Sequence, residues 1–284
     1  MQKGGTFPVN LLITGSSGGI GSAVAARFLK NGHTVFGLDL APAPFEHPRY
    51  THFRTDLRDE SALPELPMPE ILFLNAGVQN SPDDIDLNLK STILVTEHYL
   101  RGNTALRSVL FNASASAISG QEFPVYAASK AGMLGYMKNL AIRLAPRQIP
   151  CNAICLGGVY TPLNEAVVRD PQLWNQIVDV TPMKKWTDPE EVADWVEFLT
   201  TKNRSMSGES LLIDNGEYQL RSTFVWPDST DMVRLRPIRP EDQPAFADVS
   251  RFSSPLRNAD SARCLAGPGG PMNKTEVLSD GNTG

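Results

Sequence analysis

Cysteine is scarce, with Cys151, Cys155 and Cys264 the three in 284 residues. Three thiols cannot all pair within one chain. Cys151 and Cys155 fall inside an apolar, β-rich run and read as small core residues, not as a disulfide frame. No metal site is expected either: the four histidines, His33, His47, His52 and His98, show no ligand spacing. Positive charge is in deficit, with 26 Lys and Arg against 31 Asp and Glu, a net charge of −5 and a pI near 5.4. No basic surplus is left for the phosphates of a nucleic acid, so nucleic-acid partners are not expected. No apolar run exceeds strand length, and Met1 to Val9 lacks an apolar signal-peptide core, so neither a membrane span nor a leader is expected. With 41% hydrophobic and 20% charged residues, the composition fits a soluble globular protein of a reducing cytoplasm.

Short apolar runs alternate with helical patterns over the first two-thirds of the chain. Val9 to Ile13, Thr34 to Leu38, Ile71 to Leu74 and Val109 to Phe111 read as strands. Each is nearly all apolar, as strands covered on both faces must be. Ala23 to Leu29 reads as a helix ending at Asn31-Gly32. Tyr126 to Leu144 is another, with Met133, Leu134, Met137, Leu140, Ala141 and Leu144 on one face. Glu190 to Leu199 and Leu211 to Ile213 are the last helix and strand of the pattern. Between Asp56 and Ile71 only Glu60 to Leu66 has helical room, cut short by Pro64, Pro67 and Pro69. This alternation predicts an α/β fold, a Rossmann-like, doubly wound parallel sheet with right-handed crossovers. The character changes after Glu217, which predicts one domain over 1–218 and a largely disordered, irregular tail over 219–284.

Four short constellations carry chemistry. Thr14-Gly15-Ser16-Ser17-Gly18-Gly19-Ile20-Gly21 lies at a strand-to-helix junction. A dinucleotide pyrophosphate needs close backbone approach and free N–H groups at a helix start, which Gly15, Ser17, Gly19, Ile20 and Gly21 are placed to offer. A flexible turn would use the same string, but the strand before it and the helix after it favour the cofactor reading. Asp39 follows the second strand, where a carboxylate accepts from both ribose hydroxyls and repels a 2′-phosphate. No Lys or Arg lies between Gly15 and Gly21, so NAD is favoured over NADP. An Asp capping a turn would look the same locally. Tyr126 and Lys130 in Tyr126-Ala127-Ala128-Ser129-Lys130 lie one helical turn apart. A phenol ionises at about 10, and a nearby ammonium is expected to lower that value and allow proton exchange. Ser114 stands twelve residues ahead of Tyr126, where a hydroxyl can bond a substrate oxygen. Ser116 is its rival.

Together these residues resemble the short-chain dehydrogenase/reductase family in its compact single-domain branch, over about Val9 to Glu217. The same order includes Asp56-Leu57, Asn75-Ala76-Gly77, Asn88 and the run Asn152 to Pro162. The resemblance implies hydride transfer between NAD(H) and a small-molecule secondary alcohol or ketone. Tyr126 would be the general acid/base, Lys130 would tune it and bind the nicotinamide ribose, and Ser114 would polarise the substrate oxygen. Asn88 would hold a water that relays protons to Lys130. Asp56 and Leu57 would contact adenine, Asn75, Ala76 and Gly77 would line the cofactor cleft, and Val159 and Thr161 would meet the carboxamide. Departures from the family pattern are Leu156 in place of a proline, Asp214-Asn215-Gly216 in place of Asp-Gly-Gly, and a Ser–Tyr spacing one residue short.

The resemblance also implies a homodimer or homotetramer, paired through Asn88–Leu100 and Tyr126–Leu144, with Gly132 and Gly135 allowing close helix approach. The segment Thr161 to Trp186 should cover the substrate with Leu163, Val167, Leu173, Trp174, Ile177 and Trp186, and it also offers the cations Arg169, Lys184 and Lys185. The alternatives are a nucleotide-sugar epimerase-like enzyme and a non-catalytic NAD-sensing or scaffold protein. Val233 to Asp242 has a brief likeness to the start of a truncated N-acetyltransferase domain.

Overall fold

The computed structural model describes residues 8–220. The expected tail beyond 220, with its N-acetyltransferase-like stretch, lies outside the described residues. Seven strands form one parallel sheet: β1 (Asn10–Thr14), β2 (Thr34–Asp39), β3 (Tyr50–Arg54), β4 (Ile71–Leu74), β5 (Ser108–Asn112), β6 (Cys151–Leu156) and β7 (Ser210–Ile213), in the order β3-β2-β1-β4-β5-β6-β7. The order reverses between β1 and β4, and such a switch point opens a crevice beyond the carboxyl ends of the strands.

The helices are α1 (Gly19–Lys30), α2 (Thr92–Leu100), α3 (Ser116–Ser119), α4 (Pro124–Leu144), α5 (Glu165–Val168), α6 (Pro171–Val180) and α7 (Pro189–Glu197). Period-two alternation divides each strand between two cores. Leu11 and Ile13 face α1 and α7, joining Val24, Phe28, Val192 and Val196. Leu12 and Leu72 face α2 and α4, joining Val95, Met133, Met137, Leu140 and Leu144. The spacing of the α4 residues repeats the helical period, and burying each such side chain contributes about 1.5–3 kcal/mol.

Element boundaries moved where local chemistry demanded it. Helix α1 starts at Gly19, with Gly18 as its N-cap, so Gly19 and Gly21 lie in its first turn. Helix α4 starts at Pro124, because proline suits the first helical position. The expected helix between Glu60 and Leu66 is one 3-10 turn, Glu60–Ala62, capped by the Asp59 carboxylate. Pro64 cannot extend it.

Candidate active site

At the switch point the strand ends are tied together by side chains. Thr14 Oγ1 accepts from the backbone N–H groups of Asn75 and Ala76 at 2.9 and 3.0 Å. Asn75 Nδ2 donates to the carbonyls of Thr14 and Gly15, and Asn112 Nδ2 donates to Asn75 Oδ1 at 2.9 Å. Above this brace lies a cavity of about 940 Å³.

One end of the cavity is built for a phosphate-bearing ligand. No side chain caps the N-terminus of α1, and its first turn holds no acidic residue, so its leading N–H groups are free for an anion. Gly15, Ser17, Gly19 and Ile20 line the cavity. Gly15 has φ +68°, a conformation that favours glycine. Gly21 lies behind the wall and serves packing: a Cβ there would sit 2.0 Å from the Gly15 carbonyl oxygen. Asp39 lines the same end and accepts from the N–H groups of Ser17 and Ala41, both at 2.9 Å. The nearby Arg54 directs Nε to the Leu40 carbonyl at 2.7 Å and does not line the cavity. These groups fit the adenosine and pyrophosphate of a dinucleotide.

Leu57, Asn75, Ala76, Gly77, Val159 and Thr161 also line the cavity, with Thr55 beside Leu57. Asp56, between them in sequence, is not among the lining residues. Its carboxylate is chelated by Arg58, at 2.7 Å to Nη2, which holds its pKa below the usual range. Asn88 is fully buried within a π-helical turn, Asp86–Ser91, that leads into α2. Its amide exchanges hydrogen bonds with the Val78 backbone at 2.8 and 2.9 Å and donates to Ser129 Oγ at 3.1 Å. Its side chain therefore braces the turn after Gly77 against α4.

The other end gathers Ser114, Tyr126 and Lys130 on one wall. Lys130 is 4% exposed, and its Nζ donates to the Asn112 carbonyl at 2.8 Å and lies 5.9 Å from the centroid of the Tyr126 ring. Burial lowers its pKa to about 8, against the opposing pull of Cys155 and Asp84. Burial raises the Tyr126 phenol to about 12; a hydrogen bond with Ser114 acts the other way, and the Glu122 and Asp84 carboxylates add to the rise. The expectation that a nearby ammonium lowers the phenol is not what burial produces here: the shift is upward, with desolvation its largest cause. Ser114 faces the cavity, while Ser116 sits behind it, sharing a 2.9 Å hydrogen bond with Ser114 and donating to Glu122 at 2.5 Å.

The family model described as enoyl-(acyl carrier protein) reductase matches residues 71–217. The chain belongs to the short-chain dehydrogenase/reductase family. A human (3R)-3-hydroxyacyl-CoA dehydrogenase is 30% identical over 248 residues, covering 72% of this chain and 94% of the relative. The 2-(R)-hydroxypropyl-CoM dehydrogenase of Xanthobacter autotrophicus is 27% identical, covering 73% and 97%. A crystal structure of a short-chain oxidoreductase from Burkholderia thailandensis superposes with a TM-score of 0.67 at 29% identity, covering 75% of this chain and 93% of that one. More distant structures of this fold carry NADH, NAD+ or NADPH, so the fold serves both cofactors.

In this short-chain oxidoreductase, sequence reasoning missed Glu122, Glu217 and Tyr218, which also line the cavity. Of the cations in the covering segment, Arg169 pairs with Glu165 and Lys185 with Glu191, while Lys184 caps the carbonyls of Val178 and Asp179. None of the three lines the cavity. Leu163, Val167, Leu173, Ile177 and Trp186 do, and Trp174 packs edge-on behind Trp186 at 5.2 Å. Leu156 closes the floor, its carbonyl accepting from Ala115 N–H. Asn215 holds φ 55°, a conformation that asparagine tolerates better than most residues, which explains how it replaces a glycine. No helix among the described residues is long and apolar enough to cross a membrane.

Proposed function

We propose that the protein interconverts a secondary alcohol and a ketone with NAD(H). The observation that carries this reading is one continuous cavity with a glycine cradle and Asp39 at one end and Ser114, Tyr126 and Lys130 at the other. Bound nicotinamide would supply or accept the hydride. Ser114 holds the substrate oxygen, and the protonated Tyr126 gives it a proton on reduction and takes it back on oxidation. Lys130 binds the nicotinamide ribose and supports the proton path. Asn88 supports that path by fixing the turn after Gly77. Asp39 supports NAD over NADP: its carboxylate would repel a 2′-phosphate bound at this end, and no cation lines the cavity there among the described residues.

The reading extends to a homodimer or homotetramer formed through α2 and α4. Ile142 and Val125 stand 75% and 51% exposed on α4, and Gly135 meets nothing within 4 Å, while Gly132 closes on Leu89 of its own chain. Sedimentation as a 31.0 kDa species would overturn the oligomer. The buried, free Cys151 and Cys155 support a reducing, cytoplasmic home.

The test is absorbance at the nicotinamide band with NADH and NADPH over a panel of ketones, for wild type and Tyr126→Phe. Turnover should fall by about 10²–10⁴ in the variant, with NADH affinity unchanged. Full turnover in Tyr126→Phe would refute the mechanism. Tight NADH binding with no turnover in wild type would favour a sensing role.

A further inference from the structure

Behind Ser114 runs a chain of hydrogen bonds that the exchange of a proton with Tyr126 does not use. Ser116 Oγ lies 2.9 Å from Ser114 Oγ and 2.5 Å from Glu122 Oε2. The other carboxylate oxygen of Glu122 accepts from the Tyr218 phenol at 2.8 Å, across 96 positions of sequence. Glu122 lies in the loop between α3 and α4 with φ 71°, a left-handed conformation that costs a glutamate energy and persists only where surrounding contacts hold it. Ser116 and Tyr218 hold its two oxygens.

Counting protons gives this chain a direction. A carboxylate only accepts, and a serine hydroxyl has one hydrogen and two lone pairs. The Ser116 hydrogen goes to Glu122, so in the bond between the two serines Ser114 is the donor. One Ser114 lone pair takes the Ser116 backbone N–H at 3.1 Å. What remains to Ser114 for the cavity it lines is its second lone pair. Ser116 is 1% exposed and Ser114 5%, so water is not at hand to replace a partner that either one loses.

A bound alcohol completes the chain. Its O–H donates to Ser114 Oγ, and its oxygen accepts from the Tyr126 phenol. A ketone brings no hydrogen. Either its lone pairs face that of Ser114, or Ser114 turns its proton into the cavity and leaves Ser116 Oγ without a donor.

We infer, resting on the reading of this cavity as a dehydrogenase site, that Glu122 is a positioning residue: through Ser116 it turns the Ser114 proton away from the cavity, so the site holds an alcohol in preference to the ketone of the same carbon skeleton.

The test removes the carboxylate by Glu122→Gly, since glycine adopts φ 71° without strain, and cuts the chain separately by Ser116→Ala. Calorimetry measures cyclohexanol on the NADH-loaded full chain and cyclohexanone on the NAD+-loaded full chain, two pairs that cannot exchange hydride. In each variant the ratio of the ketone Kd to the alcohol Kd should fall by about fivefold, the size of one hydrogen bond, because Ser114 is then free to donate into the cavity. A ratio unchanged in either folded variant, as when both probes weaken alike, overturns the inference, and so does a wild type that holds neither probe. Should Glu122→Gly not fold, Ser116→Ala carries the decision. Failure of wild type to bind NADH and NAD+ would instead overturn the dehydrogenase reading beneath it.

Discussion

Replacing Lys130 by methionine is expected to stabilise the protein while abolishing turnover. The fold lowers the Lys130 pKa from 10.5 to about 8. At 1.36 kcal/mol per unit, keeping this side chain charged at pH 7 costs about 3 kcal/mol. Methionine keeps the length and the apolar stem, and it loses one hydrogen bond to the Asn112 carbonyl, about 1 kcal/mol. The net gain is about 2 kcal/mol, or roughly 4–8 °C in Tm for a domain of this size. The pH dependence has a definite sign. The folded pKa lies below the unfolded one, so between about 8 and 10.5 the unfolded chain binds more protons and stability rises with pH. Below that window the penalty is complete. The buried tyrosines are common to both proteins and cancel in the difference. Urea unfolding of wild type and Lys130→Met at several pH values measures it directly. The stability gap should be widest near neutrality and should close as pH rises through the window. A methionine variant less stable than wild type at neutral pH by about 1 kcal/mol, or a gap that does not change with pH, would refute the reasoning.

Other substitutions test separate parts of the site. Gly21→Ala places a Cβ 2.0 Å from the Gly15 carbonyl oxygen, so stability should fall by about 1–3 kcal/mol and NADH affinity should drop with it; native affinity by fluorescence titration would contradict this. Asp39→Ser removes the carboxylate at the adenosine end, and the ratio of kcat/KM with NADPH to that with NADH should rise by about tenfold or more, one charge repulsion at short range. Ser114→Ala should lower kcat by about 10²-fold, and Ser116→Ala by much less; the reverse order would hand the role to Ser116.

The sheet was readable because buried parallel strands are continuous apolar runs, and Ile71–Leu74 was found to the residue. The edge strand Tyr50–Arg54, Tyr-Thr-His-Phe-Arg, is only half-buried and has no such run. Its composition alone does not mark it as a strand. The glycine string announced close approach without saying to what. In the structure Gly21 meets its own loop, Gly19 meets Thr161, and Gly132 meets Leu89, so three glycines that look alike in sequence do three different things. The pairing of Asp56 with Arg58, two residues on, is local chemistry that the motif does not mention.

Local spacing explains what could be known of the chemistry. Tyr126 and Lys130 are four apart on a helix, so their pairing needed no knowledge of the fold. The direction in which each pKa moves did. Sequence proximity argues that an ammonium lowers a phenol's pKa, but the outcome depends on how much water both groups lose, and that is set by β5, β6 and the loops closing over them. Burial raises one group and lowers the other, leaving a protonated tyrosine beside a costly lysine. The carboxylates at the substrate end were further from reach. Glu122 has a plain loop sequence around it, and its partner Tyr218 comes 96 positions later, past β7. No periodicity links the two; only the parallel order of β5, β6 and β7 brings their following loops to one rim. Cofactor recognition uses a short segment and leaves a motif, whereas substrate recognition is assembled from the ends of several strands and leaves none.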